Sequence, residues 1–177
     1  MTKNTSKRIQ GLIQDLFSAQ KDVVKSALKK IPSQGNAEVI IPLLKTYVSW
    51  ESDENIQNDI AKILGELKTE SAIPELIEAL EDPEFDSIRA LILSSFWHSG
   101  LYPVDDIGVI VRHAIRGDFL VTLEAITIIE NIEAPSDVDT IQDAIFDIDE
   151  FLEQYPNEMH SELLVQLKTV FTTLYNQ

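Results

Sequence analysis

The chain contains no cysteine. That absence removes disulfides, thiolate metal sites and cysteine nucleophiles together. Long apolar runs are missing too. A stretch such as Val39–Leu44 is interrupted by Pro42, far short of the roughly 18 to 20 residues a membrane span needs. The start, Met1-Thr-Lys-Asn-Thr-Ser-Lys-Arg, is polar and leads into Ile9-Gln-Gly-Leu-Ile-Gln-Asp. It lacks the apolar segment of a secretory signal, so a cytoplasmic compartment is expected. No GxSxG, no phosphate-cradling glycine loop and no HExxH pairing occurs. No catalytic set, metal or cofactor is therefore expected.

Positive charge is scarce: 14 Lys/Arg face 30 Asp/Glu, a net of −16. The imbalance is uneven. Residues 1–70 hold 10 basic against 9 acidic side chains, and residues 71–177 hold 4 against 21, a net of −17. Such a surface repels a phosphate backbone, and no basic stripe long enough to follow DNA is present. Nucleic acid is excluded as a general partner. At 177 residues with 44% hydrophobic and 25% charged content, the composition is that of a folded chain, read as a single domain over 1–177.

What is present in abundance is a period. At an offset of 32, Val24 aligns with Ile56 and Ile88, and Leu28 with Ile60 and Ile92. The same offset sets Ile41-Pro42 on Ile73-Pro74, Leu44 on Leu76 and Val48 on Leu80. Past residue 100 the register slips. An offset of 34 carries Ile73, Leu76, Ile77 and Leu80 onto Ile107, Ile110, Val111 and Ala114; an offset of 33 carries Ile88, Ile92 and Phe96 onto Val121, Ala125 and Ile129. Self-similarity at this spacing is the signature of a helical repeat array.

Within each unit the apolar spacing is helical. Ile56, Ile60, Ile63, Leu64 and Leu67 share one face, as do Leu163, Leu164, Leu167, Val170, Phe171 and Leu174. Helices are expected at 6–17, 21–32, 37–50, 54–67, 72–81, 85–99, 104–116, 119–132, 137–153 and 160–175, which makes five pairs and an all-α fold. Start signals fall at Ser52, at Ser71 and at Pro135-Ser136 with Asp139 three residues on. Pro74 suits a first turn; Pro42 either kinks its helix or marks a late start. Gly35, Gly100 and Gly117 punctuate the loops. Polar residues on the first helix (Lys7, Arg8, Gln10, Gln14, Asp15) and the last (Gln166, Lys168, Thr172, Thr173) are expected to cap a complete short array.

One stretch carries a family pattern: Leu64-Gly65, then Ala72-Ile73-Pro74-Glu75-Leu76, then Asp82-Pro83, then Ile88-Arg89. Over about 30 residues it resembles a HEAT-like repeat of the bilin-lyase type; the remaining units keep the period and lose the Asp and Arg. The resemblance implies a right-handed α-α superhelix, a HEAT/ARM-like solenoid of about five helix pairs whose second helices line the concave surface. It also implies that Asp82 and Arg89 hold neighbouring turns together.

Few residues invite chemistry. His98, His113 and His160 fall in three different repeats and are expected at the surface or half-buried. Asp147-Ile-Asp149-Glu lacks the glycine and terminal Glu of a calcium loop, and Asp143 and Asp147 sit one turn apart on a solvated face. Lys21, Lys25 and Lys29 recur every four residues beside Lys30, either as a solvated face or as a basic pole for an acidic partner or for the chain's own acidic half.

The segment Ser87–Ser99 is more informative. Its counterpart one repeat earlier is polar at Asn55, Asp59, Lys62 and Glu66; shifted by 32, that stripe becomes Ser87, Leu91, Ser94 and His98 and has lost every charge. Leu91, Ser94, Trp97 and His98 are therefore the candidate partner-binding residues, with Trp97 as anchor. The competing reading puts Trp97 in the core of a helix buried on more sides. The functional expectation is a non-enzymatic protein-interaction scaffold for an unidentified protein. The alternative is an enzyme or enzyme subunit on the same scaffold, bilin-lyase-like by the resemblance. A DNA glycosylase, a chemistry also known on HEAT-like folds, would need a basic groove that this charge distribution denies.

Overall fold

A computed structural model describes residues 3–132, 138–156 and 159–175, with side chains over 7–132, 138–156 and 159–173. Among the described residues there are ten α-helices and no strand. They are α1 Lys3–Leu16, α2 Lys21–Gln34, α3 Ile40–Ser49, α4 Glu54–Gly65, α5 Ala72–Glu81, α6 Arg89–Ser99, α7 Ile107–Arg116, α8 Phe119–Glu130, α9 Val138–Gln154 and α10 Ser161–Tyr175. Short 3-10 turns at Ala37–Val39, Pro83–Ile88 and Val104–Asp106 lead into α3, α6 and α7.

Those turns account for the main differences from the expected boundaries. Three helices expected to begin at 37, 85 and 104 begin α-helically at 40, 89 and 107. Asn36 Oδ1 accepts from the Glu38 N–H at 3.1 Å and Asp82 Oδ1 from the Glu84 N–H at 2.9 Å, so each carboxamide or carboxylate closes a tight first turn before the wider helix starts. Pro42 thus marks a late start and lies in the first turn of α3, as Pro74 does in α5. The cap of α4 is Asp53, whose carboxylate accepts from the Ile56 N–H at 3.4 Å, and not the adjacent Ser52. Ser71 precedes α5 but makes no capping bond; its hydroxyl donates to Thr69 Oγ1. The Pro135-Ser136 signal lies outside the described residues.

Contacts divide the chain into two compact units, Met1–Leu101 and Tyr102–Gln177. In the first, α1 packs on α2, α3 on α4 and α5 on α6, while α3 touches both α1 and α5, and α4 touches both α2 and α6. Alternate helices therefore form two layers, α1-α3-α5 and α2-α4-α6. The repeat register is the core register. Val24, Ile56 and Ile88 are buried, and so are Leu28, Ile60 and Ile92. Each fully buried aliphatic of this kind contributes about 1.5–3 kcal/mol through loss of water contact. A lone pair would leave those side chains wet, so a neighbouring pair has to cover them.

The second unit repeats the scheme with two pairs. α7 packs on α8 and α9 on α10, with α7 against α9 and α8 against α10. The shifted register holds here too: Ile107, Ile110, Val111 and Ala114 are buried, as are Val121, Ala125 and Ile129. Lys168 joins α10 to α9 by donating to both oxygens of Asp149 at 2.6 and 2.7 Å. On the polar outer face expected for the last helix, Gln166, Thr172 and Thr173 are exposed, whereas Lys168 is half-buried by that ion pair. The side chain of Leu174 lies outside the described residues.

Candidate binding groove between the second helices

α6 ends cleanly. Gly100 adopts a left-handed φ of 73°, the Leu101 N–H reaches the Phe96 carbonyl at 3.0 Å, and the Gly100 N–H reaches Trp97 O at 3.3 Å. This double closure satisfies the last carbonyls and fixes the rotation of the helix about its axis.

At about 100° per residue, α6 has two unequal sides. Ile92, Leu93, Ser95 and Phe96 are buried. Ala90, Leu91, Ser94 and Trp97 are half-buried and His98 is exposed. All four candidate residues fall on that second side, an arc of roughly 120° centred near Ser94. Trp97 is half-buried and belongs neither to the core nor to a fully open surface.

Leu91, Ser94 and His98 form one wall of a groove of about 340 Å³, with Ser95 at its base. The opposite wall is α4: Ala61, Lys62, Gly65 and Glu66. The two aligned stripes therefore face one another, one charged and one neutral. Trp97 does not line the groove. It stands at the other edge of the arc, its ring stacked on His98 with centroids 3.6 Å apart.

The helices approach closely here because Gly65 has no side chain. A Cβ at Gly65 would sit 3.2 Å from His98 Cβ, tighter than ordinary van der Waals contact. Gly65 is the groove residue that charge-stripe reasoning misses. The Leu64-Gly65 signal was visible in the sequence, but its partner His98 was not.

The polar groups of the neutral wall are turned back on their own helix. Ser94 Oγ and Ser95 Oγ donate to the Leu91 carbonyl at 2.9 and 2.8 Å, and His98 Nδ1 lies 2.9 Å from the Ser94 carbonyl. A carbonyl only accepts, so Nδ1 carries the proton in this contact. Covering such a face with a partner strands few hydrogen-bonding groups, which lowers the desolvation cost.

Asp82 and Arg89 lie below this site, at the turn that feeds α6. Asp82 caps the 3-10 turn, and Arg89 Nη2 pairs with Asp86 Oδ1 at 2.6 Å. Across from them Lys45 of α3 donates to Glu84 at 2.8 Å, and that carboxylate raises the Lys45 pKa. One repeat earlier, at the start of α4, the Lys21 ammonium pairs with Asp53. That contact, with the Ile56 N–H, holds the Asp53 carboxyl below the usual range.

The remaining candidates separate. His98 is exposed and His113 half-buried as expected, but His160 is buried. The correction has a local cause: its Nε2–H donates to the Ile115 carbonyl at 3.2 Å, and its ring lies 5.6 Å from that of Phe151. Asp143 and Asp147 are exposed and border a cavity of about 380 Å³ with Asp105, Asp106 and Arg112. Among the described residues no group of three or more His, Asp or Glu is placed to hold a metal ion. None of the described helices is long and apolar enough to cross a membrane.

A family model described as HEAT repeats matches residues 8–96. No curated protein and no solved structure shows a significant match to the chain.

Proposed function

The chain belongs to the HEAT-repeat family, and on that premise we propose that it is a non-enzymatic scaffold whose α4–α6 groove holds a segment of another protein. Helical repeats of this family suggest a platform often used for protein interaction. The observation that carries the reading is the outward face of α6. Four side chains, Leu91, Ser94, Trp97 and His98, form a surface without acid or lysine whose one hydroxyl, Ser94 Oγ, is already bonded to the Leu91 carbonyl. In an acidic chain that is the one stripe of a second helix in the first unit to lose its charge. Trp97, stacked on His98, is the anchor, since a large aromatic ring beside a groove supplies most of the contact energy at an interface.

The proposed compartment is cytoplasmic. A nucleic-acid partner is disfavoured by the net −17 of residues 71–177, which a phosphate backbone would have to approach. Activity is not part of the proposal, because fold resemblance to lyases does not transfer chemistry without a site.

Affinity capture from native extract tests the reading, with wild type and Trp97→Ala as baits. An interface anchor is worth about 2 kcal/mol or more, so the true partner should be depleted at least roughly tenfold by the variant. Thermal melts must show that the first unit still folds. An unchanged set of captured proteins, or a Trp97→Ala chain that does not fold, would count against the proposal.

A further inference from the structure

We infer that the surface shared by α2, α4 and α6 recognises an acidic polypeptide segment bearing one apolar anchor residue. The acidic part lies on the lysines of α2, and the anchor enters the α4–α6 groove. This rests on the scaffold reading and adds the chemistry of the partner.

The first observation is charge without counter-charge. Residues 1–36 hold 7 Lys/Arg against 2 Asp/Glu, in a chain where acid outnumbers base by 30 to 14. Of the α2 row, Lys21 is engaged by Asp53. Lys25 is half-buried, Lys29 and Lys30 are exposed, and these three have no ion-pair partner among the described residues. Only Asp22 adds an acid on that helix.

Position is the second observation. Lys21 reaches the cap of α4; at about 100° per residue Lys25 and Lys29 lie within about 80° of it around α2, whereas Lys30 lies about 180° away. Outward on α4 lie Glu54, Asn55, Asp59, Lys62 and Glu66, of mixed sign. Outward on α6 lie Leu91, Ser94 and His98, with no acid or lysine among them. Charge thus passes from positive to mixed to absent across three adjacent helices. A ligand with uniform charge fits only one of them.

Spacing sets the register. Neighbouring helices lie about 8–10 Å apart, so the α4–α6 groove is roughly 15 Å from the axis of α2. An extended chain covers that in about four or five residues at ~3.3 Å each. Two or more Asp/Glu placed four or five residues from a Leu or Phe match it. The lysines then govern approach and selectivity, and the groove governs residence. A bilayer or a long polyanion would have to meet the rest of a −16 chain, whereas a short segment meets only α2, the mixed stripe of α4 and the uncharged wall of α6. That favours a peptide.

The test is fluorescence anisotropy with the full chain and labelled peptides. Each carries a run of Glu, a Gly-Ser spacer and a terminal Leu-Phe, in both chain directions, with counterparts bearing Lys for Glu or Gly for Leu-Phe. At least one acidic, anchored peptide should bind. Lys25→Glu with Lys29→Glu, and separately Leu91→Glu, should each weaken it about tenfold or more, the loss expected for a contact worth about 1.4 kcal/mol. Raising salt from about 50 to about 300 mM should weaken it severalfold by shortening the Debye length. Thermal melts of each variant verify folding.

Equal binding of the Lys peptide, or of neither acidic peptide, overturns the inference. Loss of binding in Leu91→Glu with none in the lysine variant overturns it and leaves the scaffold reading standing. Co-sedimentation with phosphatidylserine-containing vesicles through the same lysines overturns it in favour of a membrane. A salt-sensitive dimer that the lysine variant dissolves overturns it in favour of a second copy.

Discussion

Leu91 and Ile92 are adjacent, equal in size and point about 100° apart on α6, so they provide a controlled pair. Ile92 is fully buried in the first unit, while Leu91 is half-buried on the groove wall. Truncating Ile92 to Ala removes three carbons from the core, worth about 0.8 kcal/mol each in transfer, and leaves a cavity that the packed layers only partly close. The expected loss is about 2–5 kcal/mol. Leu91→Ala removes side-chain carbons already partly in water and opens no closed cavity, and Ala favours the helix slightly. Its loss should be about 1 kcal/mol, from roughly half the transfer term. Both tryptophans, Trp50 and Trp97, lie in the first unit. Urea unfolding followed by their fluorescence therefore reports that unit directly. Far-UV circular dichroism supplies the comparison over the whole chain. Equal losses for the two variants, or a larger loss for Leu91→Ala, would mean that α6 is rotated away from the described orientation, and the groove assignment would fall.

Other perturbations follow from the same geometry. Gly100→Ala forces a Cβ into a left-handed turn and should cost about 1–2 kcal/mol in urea melts; a neutral outcome would deny the turn. Gly65→Val should separate α4 from α6 and destabilise the first unit by about 1–3 kcal/mol, with His98 resonances shifting most in NMR spectra. Asp53→Asn keeps a capping side chain but removes the charge that Lys21 pairs with. Because the folded Asp53 pKa is depressed, the wild-type advantage should be constant above about pH 5 and shrink as pH falls through and below the ordinary Asp value near 3.9. An advantage that grew on acidification would reverse the sign and refute the assignment.

Much of this arrangement could be read from spacing. Residues that recur at 32, such as Leu28, Ile60 and Ile92, are buried because burial is what the period encodes. The facing of the Lys62-Glu66 and Ser94-His98 stripes could be read the same way, since equivalent positions on stacked helices become neighbours. Boundaries were less visible. Asn36 and Asp82 start 3-10 turns before their helices, and hydrophobic periodicity over three residues cannot separate a 3-10 turn from an α-turn. Ser52 and Asp53 are both good caps, and the choice went to Asp53, whose carboxylate also meets Lys21 from another repeat. His160 was misread because its burial depends on a carbonyl 45 residues away at Ile115, a contact no local pattern announces. Trp97 falls between the two readings offered for it: it is half-buried, with its ring stacked on that of His98.

The absence of cysteine makes the most direct test simple, because Ser94→Cys creates a single labelling site. A nitroxide there should broaden the amide signals of Ala61 to Glu66 on α4, across the groove, and spare the outer face of α5 around Glu75 and Glu78. Broadening on α5 with α4 untouched would contradict a neutral wall of α6 facing a charged wall of α4, and the binding surface built on it would have no basis.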